Sequence, residues 1–150
     1  MAGPLLTTKL HVPPTAPNLV ARPRLLALLD EDCAQHRVTL IAAPAGYGKT
    51  TLVAQWITAR CLGQGETEPC SAHPHVVWYA LDEEENNATR FLTYLTVALQ
   101  HAALDACPVA LAALQSAEEL DETAVLALLL NEIDNRHDSV IVVLDDYWKI

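Results

Sequence analysis

The apolar positions of this chain fall into two rhythms. Three short runs are almost unbroken and rich in β-branched residues: Val38-Thr39-Leu40-Ile41-Ala42, Val76-Val77-Trp78-Tyr79-Ala80 and Val140-Ile141-Val142-Val143-Leu144. Runs of that length and composition predict strands buried on both faces. Between them the spacing becomes helical. Leu25, Leu26, Leu28 and Leu29 predict a short helix between Leu19 and Ala34, and Leu52 and Trp56, with Val53 and Ile57 beside them, predict another. Phe91, Leu92, Leu95 and Leu99 predict a helix from Ala88 to Ala102. Two more are expected over Pro108 to Leu114 and Asp121 to Asn135, the latter with Val125, Leu128, Leu129 and Ile133 at core spacing. Strands alternating with helices imply parallel βα units and an α/β sandwich with right-handed crossovers.

Punctuation divides the chain further. Pro4, Pro13, Pro14 and Pro17 make residues 1–18 an extended arm, with the domain proper over residues 19–150. Leu62 to His75 is a loop of small, polar and proline residues, and no internal repeat is present.

The chain has 150 residues, one domain's worth, enough to remove roughly 68–70% of its unfolded surface from water. Hydrophobic residues make up 51% and charged residues 19%, which excludes a disordered or low-complexity chain. Nine basic residues against nineteen acidic ones give a net charge of −10, which argues against nucleic-acid binding by this segment itself. A small anion in a local pocket is still allowed, because one lysine and a row of backbone amides suffice for it. The opening MAGPLLTTKL lacks the basic start and apolar stretch of a secretory signal, and no apolar run approaches the eighteen residues of a membrane span. The expectation is a cytoplasmic chain with reduced thiols and no membrane partner.

The strongest chemical signal is Ala43-Pro44-Ala45-Gly46-Tyr47-Gly48-Lys49-Thr50-Thr51. A phosphate-binding loop asks for Gly, four residues, then Gly-Lys-Ser/Thr between a strand and a helix. Gly48-Lys49-Thr50 is intact, whereas Ala43 stands where the first glycine belongs. Gly46 and Gly48 can take the backbone angles that turn successive amides toward phosphate oxygens, and the following helix adds its positive N-terminal end. Lys49 would reach the β- and γ-phosphates, and the Thr50 hydroxyl would ligate Mg²⁺. The expected second half of such a site is a hydrophobic strand ending in acid, which the last run supplies with Asp145-Asp146. Asp145 would hold Mg²⁺ through water, and Asp146 would orient the attacking water as the candidate catalytic residue.

Lys9-Leu10, Val20-Ala21-Arg22-Pro23-Arg24-Leu25 and the loop from Ala43 to Leu52 together resemble the start of the MalT-like regulators. These are large ATP-binding LuxR-type transcriptional activators of the STAND class of signalling ATPases. Trp78 to Glu83 with Asn86, Arg90 to Leu95, and Val143 to Tyr147 are similar as well, in the same order. The resemblance implies a parallel-sheet P-loop NTPase fold, three-layer α/β/α and incomplete at its C-terminus. It also implies a switch between ADP-bound and ATP-bound states, with Val20 and Arg22 near the adenine. A parent regulator would bind DNA through a C-terminal module missing here, and oligomerisation belongs to that longer parent. The strand next in sequence would lie between the Val38 and Val140 strands, so those two either pair directly or leave the fragment marginal. The chain is thus expected to be a truncated segment that binds Mg-ATP or ADP and hydrolyses slowly or not at all. A phosphate-loop kinase or motor ATPase and a non-catalytic remnant are the alternatives.

Weaker signals point elsewhere. Cys61, Cys70, His73 and His75 share a loop but lack the paired spacing of structural zinc sites, so no metal is expected there. Asp82 to Glu85 reads as a solvated loop, although a position after a parallel strand leaves a direct role open to Asp82. Cys33 and Cys107 read as inert thiols, and Trp56, Trp78 and Phe91 as core. Ser116-Ala117-Glu118-Glu119 has capping-box spacing.

Overall fold

Two of the three β-branched runs find each other. In the computed structural model, β1 (His75–Ala80) and β2 (Val140–Asp145) pair in parallel, His75 opposite Val140 and Ala80 opposite Asp145. The structure describes residues 5–16, 18–62, 74–102, 107–116, 121–136 and 139–150. They form two compact units, Met1–His11 with Cys70–Ile150, and Val12–Pro69.

In the first unit the ladder is extended at both ends. The His75 amide donates to the Ser139 carbonyl (2.8 Å) and the Leu81 amide to the Asp145 carbonyl (2.9 Å). Val77, Trp78 and Tyr79 are all buried, so β1 is covered on both faces, as its unbroken apolar run requires. β2 is less enclosed than its sequence predicts: its residues are half-buried and Val142 is exposed, because β1 is its only sheet neighbour among the described residues. Between the strands run α3 (Ala88–Ala102), α4 (Pro108–Ser116) and α5 (Glu122–Asp134), close to the bounds the periodicity predicts. The core joins Val77 and Tyr79 to Tyr94, Ala98 and Leu99 of α3, Ala110 of α4 and Leu129 of α5. Tyr79 stacks on Tyr94 with centroids 5.5 Å apart and meets Phe91 at a tilt, 5.7 Å away.

Helix ends are satisfied locally. Asn87 accepts from the Arg90 amide at the start of α3, and Asp121 accepts from the Thr123 and Ala124 amides at the start of α5, a cap worth about 1 kcal/mol. The start of α4 is capped from another helix: the two Glu132 carboxylate oxygens accept from the Val109 and Ala110 amides at 2.9 and 3.0 Å. Cys107, buried just before Pro108, has φ 61°, and burial pushes its thiol pKa up to about 11, in keeping with an inert thiol. Ala117 to Glu119 of the Ser116 motif lie outside the described residues.

The second unit holds α1 (Pro23–Gln35) and α2 (Lys49–Leu62). α1 starts four residues later than Leu19, at Pro23, because proline is favoured in the first helical turn while the residue before it is steered away from helical angles. Leu29, Leu52, Ala54, Trp56 and Ile57 are buried. The Trp56 indole donates to Asp30 (2.8 Å), Arg60 pairs with the same carboxylate (2.7 Å), and Arg60 lies 5.0 Å from the Trp56 ring centroid.

The strand expected over Val38–Ala42 is absent. These residues carry no regular structure, with Val38 85% and Leu40 80% exposed. Of the two alternatives left open for this run, direct pairing with the Val140 strand does not form, since the sheet among the described residues contains β1 and β2 alone. A strand is a property of a pair, and an apolar run with no ladder partner has nothing to satisfy its N–H and C=O groups except water.

Candidate functional site

The loop from Ala43 to Gly48 leads straight into α2. The Tyr47 amide donates to the Pro44 carbonyl (3.4 Å), and Gly46 and Gly48 sit at φ 82° and 77°, the left-handed region that a side chain resists. Gly48 is the last residue before the helix, its carbonyl accepting from the Leu52 amide at 2.9 Å. The helix therefore starts at Lys49, with Thr50 and Thr51 in its first turn. There the leading amides have no acceptor within the helix and the positive end of its dipole emerges. Ala43, Pro44, Ala45, Gly46 and Tyr47 are exposed, and Gly48, Lys49, Thr50 and Thr51 are half-buried.

Two cations converge on this loop. The Lys49 ammonium donates to the carbonyls of Ala43 (2.8 Å) and Pro44 (3.2 Å), folded back over the loop it follows. The Arg22 guanidinium donates to the Tyr47 carbonyl (3.1 Å) and lies so near Gly48 that a β-carbon there would be 3.5 Å from Arg22 Nη2. Val20, two residues earlier, is exposed. An open groove of about 450 Å³ lies along α2, lined by Leu19, Ala21 and Leu26 on one side and Gln55, Thr58 and Ala59 on the other. Thr51 precedes Gln55 by one turn on the same helical face. Spacing did not reveal this groove, because half of its wall comes from the irregular segment before α1.

The acidic edge belongs to the first unit. Asp145 ends β2 opposite Ala80, and its carbonyl holds the Leu81 amide. Asp146 follows at φ 58°, a conformation that aspartate tolerates better than most residues, and its carboxylate accepts from Lys149 at 2.6 Å. That hydrogen bond raises the Lys149 pKa. The structure thus gathers Lys49, Arg22 and the glycines in one unit and Asp145 with Asp146 in the other.

The acidic run after β1 is solvated only in part: Glu83 and Glu84 are exposed, as its composition suggests, whereas Glu85 is buried. Glu83–Asn86 is a single 3-10 turn, and the Glu85 side chain is fully buried. Asp82 and Glu85 form a reciprocal cap: the Glu84 amide donates to Asp82 (2.9 Å) and the Asp82 amide to Glu85 Oε2 (2.6 Å). Lys9 compensates the buried charge, 2.8 Å from Glu85 Oε1 and 2.5 Å from Asp82 Oδ2, while Arg90 reaches Glu85 at 3.4 Å and also pairs with Glu84. The Lys9 hydrogen bond holds the Asp82 carboxyl down at about 2. Burial pulls the Lys9 ammonium the other way, but its two carboxylates outweigh that and its pKa is raised. Burial, and then the Glu85 charge, push the Tyr79 hydroxyl well above the ordinary tyrosine range. In this arrangement Asp82 is a salt-bridged capping residue.

His75 lies with Nδ1 3.0 Å from the Ala102 carbonyl. Cys70, His73 and the Cys61 side chain lie outside the described residues. No helix among the described residues is long and apolar enough to cross a membrane.

A parallel pair of strands packed on helices and a glycine-shaped loop that opens a helix fit a partial α/β P-loop NTPase fold. In agreement, the family model described as AAA domain matches residues 7–148, and the chain belongs to that family. Among curated proteins it is similar to the HTH-type transcriptional regulator MalT. The Serratia proteamaculans protein is 40% identical over 147 residues, covering 97% of this chain and 15% of that relative. The proteins of Yersinia pestis (strain Pestoides F) and Yersinia pseudotuberculosis (serotype O:1b) are each 37% identical over 146 residues, with the same coverage. The chain thus spans about 15% of the length of these relatives.

Proposed function

We propose that this chain is the nucleotide-binding segment of a transcriptional regulator similar to MalT, taking up Mg-ATP or ADP as a switch and contributing little or no hydrolysis of its own. The observation that carries this reading is the loop itself. Two glycines in left-handed conformation turn the backbone into the first turn of α2, with Lys49 as its first residue. Left-handed glycines, free helix-end dipole and lysine are the donor set a phosphate chain needs, so the residues present fit the ligand.

On this reading Lys49 neutralises the β- and γ-phosphates, and the backbone amides from Ala45 to Thr51 cradle them, apart from that of Tyr47, which is bonded to the Pro44 carbonyl. Arg22 steadies the loop at Tyr47 and Gly48 and offers a second positive charge. The groove beside Leu19, Ala21 and Leu26 suits an adenine, being mostly apolar, with Thr58 and Gln55 for hydrogen bonds. Thr50 and Asp145 supply the hard oxygen ligands that Mg²⁺ prefers, the ion neutralising charge on the phosphates. Assigning both to one ion follows from the order of the motifs along the chain. Asp146 would orient water only after release from Lys149, which fits a slow switch better than a fast enzyme. Reading of DNA would fall to other parts of a longer regulator, consistent with the net charge of −10 here.

A thermal melt tests this directly. If nucleotide binds only the folded chain, a hundredfold excess over its dissociation constant stabilises by about 2.7 kcal/mol. Transitions that stay in place with ATP and with ADP would leave the chain without its assigned ligand.

A further inference from the structure

We infer that Lys9 is a positioning residue: it pins residues 5–10 to the turn after β1 and thereby fixes the sheet edge that carries Asp145. The assignment rests on contacts within the first unit and goes beyond the nucleotide reading, which it does not require.

The geometry runs in a short chain. Residues Thr7–Leu10 form one 3-10 turn, too short to persist alone. It is fastened at three points. The Leu6 amide donates to the Tyr94 hydroxyl at 3.0 Å, Leu10 is buried among the core residues, and Lys9 reaches Asp82 and Glu85. The Lys9 ammonium also lies 5.3 Å from the Tyr94 ring centroid, on the side chain that stacks against Tyr79 of β1.

Lys9 differs from the other two fastenings in what it leaves behind. Glu85 has no exposed side-chain surface, and its other cation, Arg90, stands at 3.4 Å and is shared with Glu84. A buried carboxylate without a close counter-charge is unstable where it is, so loss of Lys9 drives Glu85 toward water. Glu85 Oε2 holds the Asp82 amide, and the preceding amide, Leu81, is the one bonded to the Asp145 carbonyl. Movement of Glu85 therefore loosens Asp82, then Leu81, then the end of β2. The pin is placed to tie the order of the N-terminal segment to the order of that edge.

Amide exchange measured residue by residue on the 150-residue chain, without nucleotide, reads this out. Lys9→Met keeps the aliphatic stem and removes the charge. Protection at the Leu6, Lys9-position and Leu81 amides is expected to fall by roughly tenfold or more, with the interior of β2 at Ile141 to Val143 unchanged. Lys9→Arg, which can span both carboxylates, is expected to restore it. Should Lys9→Met fail to fold, the double variant Lys9→Met with Glu85→Gln carries no uncompensated buried charge and is expected to fold while still losing protection at Leu6. Unchanged protection at Leu81 in Lys9→Met would overturn the inference, as would a loss in Lys9→Arg equal to that in Lys9→Met. Absence of nucleotide binding by the parent chain would strike the functional reading and leave this one standing.

Discussion

Replacing Lys49 with methionine separates what that side chain does for folding from what it does for a ligand. Among the described residues its ammonium is held by two loop carbonyls alone, Ala43 at 2.8 Å and Pro44 at 3.2 Å, both at the exposed surface. A hydrogen bond to a charged group is worth about 1.5–3 kcal/mol when shielded, and considerably less where water competes for both partners. Methionine keeps the stem and its packing, so the loss of stability should be at most about 1 kcal/mol, a fall in melting temperature of roughly 2–4 °C for a chain of this length. Phosphate oxygens carry full charge, and the loss of one or two charge-assisted bonds to them costs about 3 kcal/mol, close to a hundredfold in affinity. Calorimetric titration with Mg-ATP and a melt in the same buffer give both numbers. Affinity within about twofold of the parent chain, whose 1.4 kcal/mol-per-decade scale makes that difference negligible, would remove the loop from the account. Unfolding of the variant would show instead that Lys49 is a structural residue.

Two further outcomes follow from the loop and from the acidic turn. Gly46→Ala meets no atom within 4 Å and Gly48→Ala meets Arg22 only at ordinary contact distance, so each should cost the left-handed backbone penalty alone, about 1–2 kcal/mol in a urea melt. Alanine as stable as glycine at both positions would contradict the loop conformation. Asp82 is held at about 2 in the folded chain, below the ordinary aspartate value of about 4. Its contribution to stability is complete above pH ~4 and is lost as pH falls toward ~2, so Asp82→Asn should flatten acid unfolding in that window. An acid limb identical in the two proteins would refute the pairing with Lys9.

The elements legible in the sequence are those whose signal is local. The 3.6-residue spacing of Phe91, Leu92, Leu95 and Leu99 gave α3 its bounds, and the β-branched runs gave β1 and β2. The Val38–Ala42 run looks the same on paper and forms no strand, because pairing depends on a neighbour that periodicity does not record. The turn that opens α2 was legible from the glycines, since the left-handed backbone at Gly46 and Gly48 is set by residue type. The contact of Arg22 with Tyr47 and Gly48 was not legible, because it joins residues twenty-five apart in the chain. Glu85 was the least legible: four acids in a row suggest a solvated face, and the nearer of the two cations that compensate its burial, Lys9, comes from seventy-six residues away. Long-range charge compensation leaves no local pattern.

The proposal that the loop and Asp145 serve one magnesium-bound nucleotide is tested most directly by titrating ATP into the parent chain and into Asp145→Asn, each with Mg²⁺ and with the metal chelated. A ligand that acts through the ion predicts weaker binding of Mg-ATP by the variant, with the affinity for metal-free ATP unchanged. Equal losses in the two conditions, or no loss in either, would contradict it.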